Sequence, residues 1–295
     1  MANANGPFPL PEIDRVLPSA KSDSQVSVRW LGTAGFEIRA GGTTVLLDPY
    51  VTRAGLRECV LRPLAPDLAE IARITPQADA IIVGHTHFDH AMDVPAIARR
   101  TGATVYGSKS AVALCRASLV PESRLVCAER EFGQAPLTAE VGPFKLTFAV
   151  SAHSKLALGR VPFPGDIADC DQVPLRTEKY KCGAVFRVEI EVFGRKIVHL
   201  GSAEIVERTA PPKEVDLLLL CVAGWQSSER FPERVARALD PRAVLLSHWD
   251  NFFDPLDSPV RALPAMSVQK LTDRLSSIAR DTKIGAVPLL GEVAV

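Results

Sequence analysis

No stretch of this chain is apolar for long enough to span a membrane. The longest uncharged apolar run, Leu217 to Trp225, falls far short of the ~20 residues that a spanning helix needs. No charge of either sign predominates: 34 Lys and Arg face 34 Asp and Glu. The basic surplus of a general nucleic-acid binder, or of a protein held on anionic membranes, is therefore missing. No Cys-x-x-Cys pair occurs among Cys59, Cys115, Cys127, Cys170, Cys182 and Cys221. No continuous apolar h-region lies between Met1 and Gln25, which instead carry Pro7, Pro9, Pro11 and Pro18. The expectation is a cytoplasmic protein rather than a secreted one, with its cysteines reduced. Cys170 and Cys182 flank an expected loop and are close enough in sequence to approach each other, but scattered cytosolic cysteines rarely pair or bind metal. Histidine is scarce too, with 6 residues in 295.

Half of those histidines fall in one heptapeptide, Gly84-His85-Thr86-His87-Phe88-Asp89-His90. The β-branched run Ala80-Ile81-Ile82-Val83 before it, ended by Gly84, reads as a buried strand emptying into a loop. Imidazole and carboxylate are the usual protein ligands of zinc and similar ions. Alternate residues of extended backbone point the same way, so His85 and His87 can share one ion. Asp89 and His90 follow where the chain turns and can face a second.

Hydrophobic residues make up 47% of the chain, with mean hydropathy +0.11, enough for a substantial core. We read residues 1–25 as an extended arm and 26–295 as one domain. Val26–Trp30 and Phe36–Arg39 alternate, and Gly41-Gly42 turns the chain into Thr44–Leu47, an antiparallel meander closed by Asp48-Pro49. Helical patterns follow at Leu68–Ile74, at Ala96–Arg100 behind an Asp93 cap and Pro95, and at Lys109–Ala117. A second set of hairpins runs through Ala139–Val150 and Ala184–Leu200. Strand–helix units then pair Val215–Cys221 with Pro232–Leu239, and Ala243–Leu246 with Met266–Ile278. Two halves, each opening with hairpins and closing with strand–helix units, fit an α+β fold of the αββα type: two mixed sheets face to face, helices on both outer faces. Residues 155–181 lose all periodicity, and a loop this long is usually a functional lid or disordered. Its position just after His153 favours a lid, with Leu156, Leu158, Val161 and Phe163 over an apolar group and Lys155 and Arg160 meeting an anion.

The signature His-x-His-x-Asp-His resembles that of the metallo-β-lactamase-fold hydrolases. Other phrases of that family stand in the same order: Trp30–Gly35, Leu46–Tyr50, Ser151–Ser154, Val198–Ser202 and Leu245–Asp250. Within it, they most resemble the branch of ascorbate-6-phosphate lactonase-like and N-acylphosphatidylethanolamine phospholipase D-like proteins. The resemblance implies a first metal position of His85, His87 and His153, and a second of Asp89, His90 and His248. It implies Zn²⁺, one or two ions, with Mn²⁺ or iron as alternatives. Asp48 is then an outer-shell carboxylate or simply a turn cap; Asp250 is a second outer-shell candidate, and His199, inside a strand, is structural.

One departure stands out. Where the family places a bridging Asp after Gly201, this chain has Ser202, a poor zinc ligand at neutral pH, and Glu204, two residues later, has a side chain long enough to reach back. Like charges a few ångströms apart repel strongly, so without a bridge a one-metal enzyme or a weakly held second ion follows. A metal of this kind lowers the pKa of bound water to about 7, and Asp89 is placed to orient the resulting nucleophile. The implied activity is hydrolysis of a small-molecule ester, lactone or phosphodiester. The missing secretion signal argues against a β-lactamase proper, and neutral charge argues against a tRNA-processing nuclease. A non-enzymatic metal-binding protein with a degenerate second site is the alternative that Ser202 suggests.

Overall fold

In the computed structural model, the described residues are 25–295 except 132, 157–158, 169–172, 208–210 and 265. Strand-forming segments dominate, and their alternation sorts side chains between two cores. In β3 (Thr43–Leu47) and β4 (Ala80–Ile82), Val45, Leu47, Ala80 and Ile82 point into one buried cluster, while Leu46 and Ile81 point into another. That period of two is the pleat of a strand covered on both faces. Among the described residues two seven-stranded sheets result. The first runs from β14 (Glu292–Ala294) through β1 (Val26–Gly32), β2 (Gly35–Ala40), β3, β4 and β5 (Thr104–Gly107) to β6 (Leu125–Cys127). The second runs from β13 (Lys283–Gly285) through β12 (Ala243–Ser247), β11 (Leu217–Cys221), β10 (Arg195–Leu200), β9 (Val185–Val192) and β8 (Phe144–Ser151) to β7 (Leu137–Val141). The hairpin strands and the β14–β1 pair are antiparallel, whereas β3 to β6 and β10 to β13 pair in parallel.

Trp30, Phe36, Phe144, Phe148, Val188 and Ile190 fill the space between the sheets. Helices α1 (Leu56–Leu61), α2 (Leu68–Ile74), α4 (Val94–Thr101) and α5 (Lys109–Ala117) bury Ile71, Ile97 and Leu114 in the cluster shared with Leu46 and Ile81. On the far side α6 (Phe231–Leu239) and α7 (Val268–Ile278) pack Val235, Leu239, Leu271 and Leu275. The αββα sandwich expected from the order of elements is the observed fold. A further helix, α3 (Phe88–Ala91), lies inside the histidine signature itself. Asp93 sits at the N-cap of α4 as expected, yet its side chain makes no cap. Its carboxylate instead accepts from the Val51 and Thr52 amides and the Thr52 hydroxyl. No helix of the described residues is long and apolar enough to cross a membrane. The arm at residues 1–24 and Cys170 lie outside the described residues.

Candidate metal centre

The C-terminal ends of β3, β4, β8, β10 and β12 open at one edge of the sandwich and deliver Asp48, His85, His153, Ser202 and His248 respectively. Loops beyond the carboxyl ends of strands are where such sheets gather ligands. The signature changes backbone midway: His87 is extended (φ −61°, ψ 154°) at the N-cap of α3, and Asp89 and His90 ride on that helix. The switch separates the four side chains into two groups. In one, His85 Nε2 lies 3.1 Å from His87 Nδ1, and ligand atoms of His85, His87 and His153 lie within 4.8 Å of one another. In the other, Asp89, His90 and His248 meet the same limit, with His248 Nε2 3.2 Å from Asp89 Oδ2. The groups adjoin, since the His85 and His90 ring centroids are 3.8 Å apart.

Carbonyl oxygens fix the tautomers of two rings in the first group. His87 Nε2 donates to Pro162 O at 2.9 Å and His153 Nδ1 to Ser154 O at 2.7 Å. A carbonyl only accepts, so the inner nitrogens, His87 Nδ1 and His153 Nε2, carry lone pairs. Burial holds His85 well below the ordinary imidazole range, helped by neighbouring His90. Burial also lowers His87, and with the nearby His87 it pushes His153 down to about 3. At neutral pH this group is therefore three uncharged imidazoles converging on one point, a donor set that fits a divalent cation. Burial opposes ionisation of Asp89, but His90 and His248 beside it outweigh that and hold it below the usual carboxylate range.

Asp48 is the hub behind the second group. Fully buried, it accepts from Gly84 N at 2.6 Å and His199 Nε2 at 2.9 Å. His90 Nδ1 stands 3.0 Å from the same carboxylate, off the line of a well-directed hydrogen bond. These contacts set the Asp48 carboxylate between two imidazoles and the Gly84 amide. Burial again opposes the charge, but His90 and His199 hold Asp48 low, and Asp48 and Asp89 in turn outweigh the burial of His90 and raise it. Two glycines make this packing possible. A Cβ on Gly84 would lie 2.8 Å from Asp48 Oδ2, and one on Gly201 2.5 Å from it.

Several expectations need correction. Glu204 does not reach the metal groups: its Oε1 pairs with Arg234 Nη1 at 2.7 Å and accepts from the Ile205 amide. Ser202 does line the cavity, but its hydroxyl accepts from Ser154 N at 3.0 Å. Among the described residues Asp250 makes no hydrogen bond or ion pair with an imidazole. It pairs with buried Arg53 at 2.6 Å and accepts from Thr33 N at 3.0 Å, while Thr33 O accepts from His248 N at 2.7 Å. Thr33, Arg53 and His248 all have positive φ (51°, 53° and 58°), a costly conformation for such residues, so this clasp holds His248 through its backbone. The loop after His153 divides in two. Leu156, Pro162 and Phe163 line the cavity. Ile167, Leu175 and Tyr180 are buried in the helix-side core, and Thr177 and Arg176 bond carbonyls of α1. Lys155 and Arg160 are exposed and outside the lining; Leu158 lies outside the described residues.

Similarity to known proteins agrees with this geometry. The family described as the beta-lactamase superfamily domain matches residues 27–248. The chain belongs to that superfamily. A curated relative from Cupriavidus taiwanensis, a UPF0173 metal-dependent hydrolase, is 34% identical over 80% of this chain and 78% of its own. Igni18, a metallo hydrolase from the archaeon Ignicoccus hospitalis, superposes with a TM-score of 0.57 at 17% identity, over 91% of this chain and 97% of its own. CmlA, a diiron β-hydroxylase from Streptomyces venezuelae, superposes with a TM-score of 0.55 at 16% identity, over 92% of this chain and 54% of its own. At such identities the likeness is one of fold alone. Sequence reasoning gave Thr33 no role although it lies in the Trp30–Gly35 phrase, and missed both Arg53, which carries no local signal, and the aromatic wall of Phe88, Phe252 and Phe253, for which the Phe252-Phe253 doublet beside His248 was the available hint.

Proposed function

We propose that this member of the β-lactamase superfamily is a metal-dependent hydrolase of an ester, lactone or phosphodiester, holding its ion through His85, His87 and His153. The observation that carries the reading is the convergence of three uncharged imidazoles beside the Asp89–His90–His248 group at the floor of one cavity. A divalent ion such as Zn²⁺ supplies Lewis acidity there and lowers the pKa of water. Asp89, ionised and facing the same cavity, positions the attacking water and holds its proton at the carboxylate. His248, 3.2 Å from Asp89 Oδ2, keeps that carboxylate oriented. Pro162 O and Ser154 O keep His87 and His153 in the ligating tautomer.

With Ser202 bonded to Ser154 N and Glu204 to Arg234, no carboxylate among the described residues bridges the two groups. We assign the first group the tight site and the second a weaker one. The protein as purified is expected to carry transition metal by elemental analysis and to hydrolyse activated esters or diesters only when loaded. His87→Ala is expected to lose both. A His87→Ala protein with full metal occupancy overturns the ligand assignment.

A further inference from the structure

The cavity over these ligands has a volume of about 360 Å³, near the lower end of the ~300–1,000 Å³ typical of small-molecule sites. Leu156, Phe163, Phe88, Phe252, Leu263 and Met266 give it an apolar wall. Sites of this kind add a few placed polar groups to such a wall, and those groups fix the orientation of the ligand. The histidines and Asp89 are already assigned to the metal and the attacking water. Among the described residues, three further polar side chains line the cavity: Ser202, Cys221 and Gln226. Ser202 is buried; its hydroxyl accepts from Ser154 N at 3.0 Å and lies 3.4 Å from Ser154 Oγ. Cys221 is buried too, and a thiol hydrogen-bonds only weakly. Gln226 is exposed, and its amide makes no hydrogen bond to another described residue. Two donors and an acceptor are free there.

The backbone beneath that amide is fixed. Gly224 is left-handed (φ 79°) and starts a 3₁₀ turn, Trp225–Ser227, in which Ser227 N donates to Gly224 O at 3.0 Å. Trp225 is buried, with the Arg274 guanidinium 5.5 Å from its ring. On the other side Ser154 Oγ donates to Ala223 O at 3.2 Å, which ties the turn to the residue after His153. A Cβ on Gly224 would lie 2.5 Å from that hydroxyl and 2.6 Å from Leu156 Cδ2, so the turn and the cavity wall are packed together. A free amide on a fixed turn is a preorganised contact.

Resting on the hydrolase reading above, we propose that Gln226 is a specificity-determining residue, which hydrogen-bonds a hydroxyl carried by the substrate away from the bond that breaks. The substrate class is then a compact, mainly apolar compound with one hydroxyl. Its reacting group meets the metal, and its hydrocarbon part lies on the apolar wall. A hydroxyl both donates and accepts, as the amide does, and is small enough for a cavity of this size. Gln226 is solvated when no ligand is bound, so the gain is one ordinary hydrogen bond, not the rescue of a buried orphan. That sets the preference at about 3–10-fold.

The test uses the whole chain, metal-free and zinc-loaded. Calorimetry measures binding of the anilides of α-, β- and γ-hydroxypentanoic acid, each against the compound with methyl in place of hydroxyl. At least one hydroxyl compound should bind about 3–10-fold more tightly than its methyl partner. Gln226→Leu, close in size to the parent, should erase that preference, and Ser202→Ala should leave it in place. No binding, or no preference in any pair, overturns the proposal, as does a preference that survives Gln226→Leu or disappears in Ser202→Ala. On zinc-loaded protein, kcat/KM is also measured for the p-nitrophenyl esters of β-hydroxypentanoic acid and its methyl counterpart. Turnover of both esters, with binding blind to Gln226, overturns the proposal and leaves the hydrolase reading intact. A binding preference carried by Gln226, with neither ester hydrolysed, overturns the hydrolase reading and leaves the Gln226 assignment standing.

Discussion

Replacing Asp48 by Ala tests the role of the hub behind the second group. The side chain is fully buried and accepts from the Gly84 amide at 2.6 Å and His199 at 2.9 Å, with His90 Nδ1 standing 3.0 Å away. Alanine leaves the Gly84 N–H and a ring nitrogen of His199 without a partner, and His199 Nδ1 already has none among the described residues. Each unpaired buried polar group costs about 1–3 kcal/mol, and losing the charged partner brings the total to roughly 3–5 kcal/mol. The expected fall in Tm of the metal-free protein is roughly 10 °C or more, with a lower urea midpoint. Asp48→Asn keeps the shape and an acceptor for Gly84, so it should lose about half as much. A double-mutant cycle sharpens the test. Gly201→Ala drives a Cβ to 2.5 Å from Asp48 Oδ2, so it should cost less in the Asp48→Ala background, with a coupling of about 0.5–3 kcal/mol. Asp48→Ala should also weaken the second metal equivalent roughly 10–100-fold and leave the first unchanged. A variant within about 1 kcal/mol of the parent, or strict additivity with Gly201→Ala, refutes the reasoning.

Zinc titration of the wild type should show one tight and one weaker equivalent, and Ser202→Asp should tighten the weaker; two equal sites in the wild type contradict the assignment. In the metal-free protein, His85, His87 and His153 have folded pKa values below the unfolded value of about 6.5. The unfolded chain therefore takes up protons that the fold refuses, and stability should fall below pH 6.5 by up to about 1.4 kcal/mol per pH unit for each imidazole. His90, raised in the fold, stabilises below that same value and loses its contribution as pH rises through its folded pKa. Urea midpoints should accordingly peak near pH 6.5, and a flat profile from pH 7 to pH 5 refutes this. Ile167→Ala should cost about 2–4 kcal/mol because Ile167 is buried in the helix-side core. Trimming the tip around Gly159 should leave stability nearly intact while impairing turnover; the opposite ranking by thermal melting refutes the division of that loop.

The parts of the fold and site legible in the sequence are those in which local pattern and final geometry share a cause. Alternation in β8 and β9 marks strands, and runs ended by Gly or Ser mark where a buried strand gives way to a loop. That is also where β4 and β12 release His85 and His248. Helices with a clear apolar stripe, such as α5 over Lys109–Ala117, stand out for the same reason. What stayed hidden depends on partners far along the chain. Asp250 looks like an acceptor for a neighbouring imidazole until Arg53 and Thr33 arrive from the other sheet. Glu204 looks free until α6 brings Arg234 to it. Helix α1 escaped notice because Leu56, Val60 and Leu61 are exposed, so no buried stripe marks it. The strands β13 and β14 span only three residues each, too short to alternate visibly.

The histidine signature belongs wholly to the first sheet, whereas His153 and His248 come from the second. A nascent chain that has just made the signature holds three imidazoles and a carboxylate but lacks the opposite wall on which they must close. His248 emerges after β12, and β14 then returns to pair with β1 beside the earliest strand of the domain. Such long-range closures are slow and come late in folding. Both groups of ligands therefore come together only when the two sheets have closed on each other, and a chain cut before β12 is expected to be inert rather than partly active.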